Sequence, residues 1–272
     1  MPFHVFVGYD SREQAAYDVC VSSLTEHNVG DDRDVVVHKL EHRDLRRRGL
    51  FDRPWRIDEK GQYWDVRDTR PFSTEFSHSR FLVPSIARNM GIKAPVMFVD
   101  CDFLFLEPVQ SLFDQVLATV PKKDGSHPLW VVKHQFSKAD EGVKMDGMVQ
   151  QAYFRKLWSS LMIYDLRFSN RYGWFPTQSD ANHMSGSALH SFGHSTAQPL
   201  DEDLIGALDM GWNWIPGHSE PLDKPQAVHW SLGGPWMEGY EDVAYATAWR
   251  QYHRAALLQQ TGLLPRTQIK AA

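Results

Sequence analysis

Hydrophobic and polar positions along the first 110 residues switch repeatedly between the period of a strand and the period of a helix. Three runs rich in apolar residues predict strands, at residues 3–9, 35–40 and 96–99. Segments with helical spacing lie between and after them, at residues 13–27, 73–89 and 109–120, and Pro84 divides the second into two short helices. This alternation predicts a mostly parallel sheet with helices on its faces.

The second half of the chain mixes short strands, loops and helices. Strands are predicted at 129–132, 160–166 and 227–230, a short helix at 201–210 and a terminal helix at 240–258. There is no internal repeat and no low-complexity linker. The pattern therefore predicts one α/β domain over residues 1–260 with an irregular C-terminal half, and a tail at 261–272.

Residues 41–72 interrupt the regular pattern with a stretch of little periodicity that holds nine basic and seven acidic residues. A segment of this length and polarity is typical of a solvated insertion. The alternative interpretation is a lid over a binding site, and the sequence leaves both open.

Composition and charge narrow the class of protein. The chain has 272 residues, a formal net charge of -5 and two cysteines. Two cysteines exclude a disulfide framework and a four-cysteine zinc site, and the acidic balance argues against nucleic-acid partners. No run approaches the roughly 18 apolar residues of a membrane helix, and the N-terminus lacks the pattern of a signal peptide. We therefore expect a cytoplasmic protein without a transmembrane segment.

The predicted strand at 96–99 is entirely apolar and runs directly into Asp100, Cys101 and Asp102. An all-apolar strand is typical of a sheet buried on both faces, and ligands of open α/β sheets bind beyond the carboxyl ends of the strands. An extended chain would place the two carboxylates on one side and Cys101 on the other. Two close carboxylates predict a divalent cation, Mg²⁺ or Mn²⁺. The alternative is a pair of acids that caps a turn or pairs with Arg80.

Five short segments occur in a particular order along the chain: FVGYD (6–10), RFLVP (80–84), FVDCD (98–102), DEDLI (201–205) and VHWSLGGPW (228–236). Together they resemble segments of the nucleotide-sugar glycosyltransferases of family 8, the group that contains glycogenin and bacterial lipopolysaccharide galactosyltransferases. The resemblance implies the GT-A fold, which is a Rossmann-like mixed sheet flanked by helices. It also implies a nucleotide- and metal-binding half at 1–110 and an acceptor-side half at 111–260.

The resemblance assigns expected roles to individual residues. Asp100, Asp102 and His229 would bind a divalent metal, commonly Mn²⁺, that bridges the pyrophosphate of the nucleotide-sugar donor. Contacts with that donor are expected from six residues: Tyr9, Asp10, Arg80, Asp100, Cys101 and Gly233.

The acids at 201–203 are expected to serve catalysis. Asp201, Glu202 and Asp203 would bind the acceptor and stabilise an oxocarbenium-like transition state, with retention at the anomeric carbon. The acceptor would be a saccharide, a lipid-linked glycan, a protein or a small molecule, and the sequence does not distinguish among them. An alternative stays open for the acids at 201–203, because acidic residues are also favoured at the start of a helix. An alternative also stays open for Asp10, which could cap the helix that follows it instead of contacting the donor.

The chain departs from the family pattern at three places. Gly234 stands where the family has a Lys before Pro-Trp, Glu202 replaces a Gln, and residues 158–161 (WSSL) replace Phe-Asn-x-Gly. These departures motivate a second hypothesis, a carbohydrate-binding protein on a degenerate transferase scaffold. A weaker alternative is a sugar-1-phosphate nucleotidyltransferase, which would normally carry a glycine-rich, basic loop after the first strand. Here that loop has the single glycine Gly8.

Overall fold

The protein is built around one seven-stranded mixed sheet. The computed structural model describes residues 2–26, 34–121, 127–135, 155–170, 173–193 and 198–261, together with the backbone of 269–271. The strands of the described chain are β1 (Phe3–Tyr9), β2 (Val35–Glu41), β3 (Trp55–Ile57), β4 (Tyr63–Asp65), β5 (Arg70–Phe72), β6 (Pro95–Val99), β7 (Phe103–Phe105), β8 (Leu129–Val132), β9 (Leu161–Asp165), β10 (Ile205–Leu208), β11 (Ala227–His229) and β12 (Ile269–Ala271).

Helices cover the sheet and connect its strands. They are α1 (Gln14–Glu26), α2 (His42–Arg47), α3 (Val83–Asn89), α4 (Gln110–Leu117), α5 (Gln178–His183), α6 (Gly186–His190) and α7 (Ala246–Gln260). As predicted, Pro84 lies in the first turn of α3, and a short 3-10 helix at Ser79–Leu82 precedes it. Proline is tolerated there because the first N–H groups of a helix have no intrahelical partner.

The main sheet has the strand order β10-β8-β9-β6-β1-β2-β12. Strands β1, β2 and β6 are parallel to one another, whereas β9 runs antiparallel to both β6 and β8. All five residues of β6 are buried, as expected for a strand covered on both faces. The expected Rossmann-like mixed sheet with flanking helices is therefore confirmed.

A two-stranded ribbon continues the chain beyond β6. Strand β7 pairs antiparallel with β11, so that His229 lies opposite Phe103. The two side chains stack, with ring centroids 4.3 Å apart. The ribbon therefore brings a residue from late in the chain next to the end of the central strand.

The segment at 41–72 is a folded wall that is fixed to the rest of the domain. It contains α2 and an antiparallel sheet of β3, β4 and β5. Arg53 is buried and donates to the carbonyl oxygens of Ala181 and Met184, at the end of α5. Asn182 also accepts from the backbone N–H of Asp52 at 2.9 Å.

The predicted helix at 201–210 is wrong. Only Glu202–Leu204 forms a 3-10 turn, and the chain then enters β10, which pairs in parallel with β8. Packing decides this segment, because a Cβ atom added to Gly206 would lie 2.4 Å from the ring of Trp130. The glycine lets the edge strand lie against the indole, and that long-range contact has no signature in the local pattern.

The C-terminal helix is also shorter than predicted. Helix α7 begins at Ala246 instead of residue 240, after Tyr245 adopts a left-handed backbone conformation. Most of the predicted tail lies outside the described residues, but Ile269–Ala271 pairs in parallel with β2 as an edge strand. Within the described part of the chain, no helix has the length and apolar character needed to cross a membrane.

Glu75 ties the loop after β1 to the wall at 41–72. Its carboxylate accepts from the Ser11 hydroxyl at 2.8 Å and lies 3.4 Å from His42 Nδ1. The backbone N–H of Glu75 donates to Asp10 at 3.1 Å. Burial by itself would raise the pKa of Glu75, but the contacts with His42 and Ser11 outweigh it and lower the pKa to about 2.

We predict that Glu75→Gln makes the free energy of unfolding less sensitive to pH in the acid range. A glutamate in the unfolded chain has a pKa of about 4.3, so the stabilisation by Glu75 is fully present above that pH. It is lost as the pH falls toward the folded value of about 2. Urea unfolding at pH values between 2 and 6 should show a shallower fall in the free energy of unfolding for Glu75→Gln than for the wild type. Glu59→Gln, at an exposed position of the same wall, is the control, and equal slopes for all three chains would contradict the prediction.

Candidate metal and substrate site

The two carboxylates of the Asp-Cys-Asp motif lie where β6 ends. The chain does not stay extended, as the sequence suggested, because Cys101 and Asp102 form a turn before β7 begins. The backbone N–H of Asp100 donates to Ser160 O at 2.9 Å, and the carbonyl of Asp102 accepts from Trp230 N at 3.1 Å. These bonds fix both ends of the turn.

The structure brings together three of the residues expected to bind a metal. One oxygen from each of Asp100 and Asp102 and one ring nitrogen of His229 all lie within 4.8 Å of one another, and all three residues are buried. His229 Nε2 lies 3.4 Å from Asp102 Oδ1. We call Asp100, Asp102 and His229 the triad.

Asn213 orients the imidazole of the triad. Its amide nitrogen donates to Ser160 Oγ at 2.8 Å, which leaves Asn213 Oδ1 to accept from His229 Nδ1 at 2.8 Å. With Nδ1 engaged by Asn213, Nε2 is the ring nitrogen that faces Asp102. An imidazole nitrogen 3.4 Å from a carboxylate oxygen needs a positive charge between them, either a proton on Nε2 or a bound cation, and the three ligand atoms together fit a divalent cation. Two carboxylates with one imidazole suit Mn²⁺ better than Mg²⁺.

Arg80 reaches the triad from the 3-10 helix before α3. Its Nη1 lies 2.8 Å from Asp100 Oδ1 and donates to Ser159 O at 2.9 Å. The ion pair that the sequence left as an alternative is therefore present. Arg80 also stacks over Phe76 and Phe98, with its guanidinium carbon 5.1 Å from each ring centroid, and this holds the cation in place.

A cavity of about 430 Å³ adjoins the triad. Its wall includes Arg80, Asp100 and His229, as well as Asp65 and Asp68 from the segment at 41–72. Eight serine or threonine residues also line it. Its size is that of a small-molecule site, and its many hydroxyl groups suit a polar ligand.

Tyr9 is the last residue of β1 and Asp10 follows it, but neither residue lines this cavity. Tyr9 donates to Gln14 Oε1 at 2.6 Å, and Lys39 Nζ lies 3.4 Å from the centre of its ring, so one face of the ring is covered. Asp10 is fully buried and pairs with Arg12 at 2.7 Å. Direct contact of either residue with a nucleotide stays a prediction.

The local structure explains the positions of Cys101, Gly233 and Gly234. Cys101 points away from the triad, with Sγ 3.3 Å from Glu13 Oε2, and burial raises the pKa of its thiol. Gly233 has a φ of 134°, a conformation that favours glycine. At the next residue, a Cβ atom on Gly234 would lie 2.0 Å from the ring of Trp236. The lysine expected from the family pattern therefore has no room at Gly234.

The acids at 201–203 are exposed and are not among the residues that line the cavity. Glu202 lies 3.5 Å from Lys133. Burial lowers the pKa of Arg155, and the charges of Glu202 and Asp201 oppose that shift, so these acids lie near Arg155. Lys156, the residue after Arg155, lines the cavity, and a direct role of the three acids in the site stays a prediction.

The comparisons with known proteins agree with this architecture. Protein CDI of Arabidopsis thaliana is 36% identical to the chain over 253 residues, which span 91% of this chain and 85% of that protein. The chain belongs to the same family as Protein CDI. No protein-family model matches the chain.

Solved structures show the fold. An active-site mutant of LgtC is 13% identical, covers 98% of this chain and 98% of its own, and superposes with a TM-score of 0.51. The galactosyltransferase LgtC in complex with donor and acceptor sugar analogues is 13% identical with a TM-score of 0.50, over 93% of this chain and 96% of that one. The GT-A fold that the motifs implied is therefore confirmed.

Sequence reasoning missed several residues of this member of the CDI family. Asn213, Ser159 and Ser160 hold the triad and Arg80, and Asp65 and Asp68 line the cavity. The departure at residues 158–161 was a signal for the two serines, because a changed motif segment marks a changed contact. Nothing in the local pattern distinguishes Asp68 or Asn213 from other polar residues.

We predict that Asn213→Ala weakens Mn²⁺ binding by about 10- to 100-fold, because His229 loses the partner that fixes its ring. Calorimetric titration with Mn²⁺, together with circular dichroism to confirm folding, measures this effect. Asn89→Ala, at an exposed position at the end of α3, is the matched control and should bind as the wild type does. Equal affinities for Asn213→Ala and the control would show that Asn213 does not orient a metal ligand.

Proposed function

We propose that the protein is a metal-dependent glycosyltransferase that moves a hexose from a UDP-sugar to an acceptor, with retention at the anomeric carbon. The observation that carries the proposal is the triad of Asp100, Asp102 and His229, with ligand atoms within 4.8 Å of one another beside a cavity of about 430 Å³. The solved structures with this fold include a galactosyltransferase, which supports the reaction class.

The triad supplies the place for the cation. A Mn²⁺ or Mg²⁺ ion bound there would act as a Lewis acid on the leaving diphosphate. Asp100 and Asp102 would hold it with their carboxylates, and His229 with Nε2, because Nδ1 is engaged by Asn213. The two carboxylates are buried, so they need positive charge close by, and a diphosphate needs the same.

Arg80 adds a fixed positive charge beside the triad. Its pair with Asp100 at 2.8 Å and its bond to Ser159 O at 2.9 Å leave little freedom for the guanidinium. A charge held in this way stabilises the negative charge that grows on the diphosphate as the glycosidic bond breaks, without having to reorganise. The backbone of Gly233, which carries no side chain, allows a phosphate to approach closely on the His229 side.

The nucleoside is assigned to the carboxyl end of β1, where Tyr9 and Asp10 lie. Because ligands of open α/β sheets bind beyond this edge, the base would lie against Tyr9. The hydroxyl-rich cavity would take the sugar and exclude bulk water from the reacting carbon. A saccharide, a lipid-linked glycan or a protein would then approach as the acceptor.

We predict that nucleotide binding depends on metal and on Asp102. UDP should bind in calorimetry at millimolar Mn²⁺ and lose at least about tenfold in affinity in EDTA, because a buried acidic site repels a diphosphate. Asp102→Asn should remove the metal dependence and the slow hydrolysis of a UDP-sugar. Donor hydrolysis is followed by the release of UDP with a panel of UDP-sugars.

Asp223→Asn, which removes an exposed carboxylate from a loop outside the cavity, is the control and should behave as the wild type does. A wild-type chain that binds no nucleotide and cleaves no donor would refute the proposal. Metal-dependent binding that persists in Asp102→Asn would remove Asp102 from the site.

A second candidate is a carbohydrate-binding protein on a degenerate transferase scaffold. The observation that favours it is Trp236, whose ring fills the space that a lysine at position 234 would need. This candidate predicts sugar binding without metal or nucleotide and no turnover with any donor. The same titrations therefore separate the two functions.

We predict that Glu202→Ala lowers kcat about tenfold or more and leaves the affinity for Mn²⁺ and UDP unchanged. The proposal gives Asp201, Glu202 and Asp203 a role in acceptor binding and in stabilising the positive charge of the transition state, and neither role involves the nucleotide. Asp209→Asn, an acid outside the cavity wall in the same region, is the control for turnover. Turnover by Glu202→Ala at the wild-type rate would show that the residue only pairs with Lys133.

A further inference from the structure

A second group of charged side chains lies on the wall of the same cavity. Asp65, Asp68 and His78 line it, and Arg53 lies behind them with 1% of its side chain exposed. Arg53 Nε donates to Asp65 at 2.8 Å, and its Nη2 contacts the same carboxylate and lies 3.2 Å from Asp68 Oδ2. We call Arg53, Asp65, Asp68 and His78 the arginine-backed wall.

This wall is not suited to a second metal ion, although Asp65, Asp68 and His78 have the residue types of a metal site. The guanidinium of Arg53 already occupies the place of a cation between the two carboxylates. Burial and the charge of Arg53 lower the pKa of His78 to about 3, so its ring is neutral at neutral pH. A divalent cation would have to displace a buried arginine that also holds two backbone carbonyls.

Asp68 differs from Asp65 in how it meets the cavity. The side chain of Asp65 is 3% exposed, whereas that of Asp68 is 17% exposed. Asp68 Oδ2 accepts from the backbone N–H of Gly186 and lies near Arg53, whereas Oδ1 has no partner among the residues that the structure describes. One arginine faces two carboxylates here, so the wall keeps a negative charge that is best met by hydrogen-bond donors.

The residues around Asp68 indicate which kind of hydrogen-bond donor it would bind. Ser77 precedes His78, Ser185 and Ser187 flank the Gly186 that donates to Asp68, and all three line the cavity. Ser159, whose carbonyl oxygen accepts from Arg80, lines it as well. A carboxylate among hydroxyl side chains that donate or accept matches the paired hydroxyl groups of a pyranose better than it matches a phosphate, and Arg70, Arg80 and Lys156 in the same lining disfavour an amine. The same cavity includes Asp100 and His229, so a sugar attached to a diphosphate at the triad would enter it directly.

We propose that Asp68 binds hydroxyl groups of the hexose of the donor and selects among hexoses, with Arg53 as the residue that positions it. This inference rests on the proposed glycosyltransferase function and adds to it the part of the site that reads the sugar. Helix α6 takes part because its first residue, Gly186, orients Asp68 through its backbone N–H. The segment at 41–72, which carries Arg53, Asp65 and Asp68, would therefore be a fixed part of the site that selects the donor sugar.

The test compares the affinity for UDP with the affinity for UDP-glucose and UDP-galactose in Mn²⁺, by calorimetry. Asp68→Asn keeps the size of the side chain but removes its charge. We expect it to bind UDP within twofold of the wild type and to bind the preferred UDP-hexose about tenfold more weakly, because a hydrogen bond to a charged acceptor is lost. Glu59→Gln removes an exposed carboxylate from the same segment and should change neither affinity.

Asp68→Glu is the second variant, because it keeps the charge that pairs with Arg53 and tests the same point if Asp68→Asn does not fold. It moves the carboxylate by one methylene and should change the ratio of the affinities for UDP-glucose and UDP-galactose at least threefold. If the variants that fold bind each UDP-hexose as the wild type does, or if UDP weakens equally, the inference is overturned while the proposed function stands. If the wild type binds neither UDP nor a UDP-hexose, the proposed function fails and the inference fails with it.

Discussion

Two carboxylates at the end of a strand that is buried along its whole length set the requirements for the rest of the site. Asp100 and Asp102 are removed from water by the packing of β6 and β7, and like charges held close together in that environment are costly. Arg80, from the segment before α3, lies against Asp100, and His229, from β11, lies against Asp102. Arg80 belongs to the same half of the domain as the carboxylates, whereas His229 comes from the C-terminal half, so the electrostatic requirement of one turn ties the two halves together.

A second buried charge group repeats this solution on the wall at 41–72. Arg53 satisfies Asp65 and Asp68 and at the same time binds the end of α5, so the wall and the C-terminal half hold each other in place. The cavity between the two groups is therefore bordered by charges that are already oriented. Preoriented charges bind a ligand without the cost of ordering side chains, which is what a specific polar site requires.

How far the sequence could predict this structure depends on the range of the contacts. Strands such as β1 and β6 were predictable because the burial of their residues requires a continuous apolar run in the sequence. Asp100 and Asp102 were predictable because they follow directly after such a run. The region at 201–210 was not, because Gly206 becomes part of a strand through Trp130, some 70 residues earlier. The pairing of Arg53 with Asp65 and Asp68 was equally hidden, since nine basic and seven acidic residues share that segment.

The balance of charge around the triad gives the clearest physical reason for a cation. Nδ1 of His229 is engaged by Asn213 and Arg80 pairs with Asp100, so one imidazole and one guanidinium lie beside the two buried carboxylates. The lysine that the family pattern leads one to expect before Pro-Trp would offset part of the charge of a diphosphate. Here Trp236 occupies the space, stacked on Trp249 with centroids 5.8 Å apart, and its packing leaves only glycine at position 234. A diphosphate entering this site would lie next to two buried carboxylates without the help of that lysine, and a cation held by the triad would attract both negative groups.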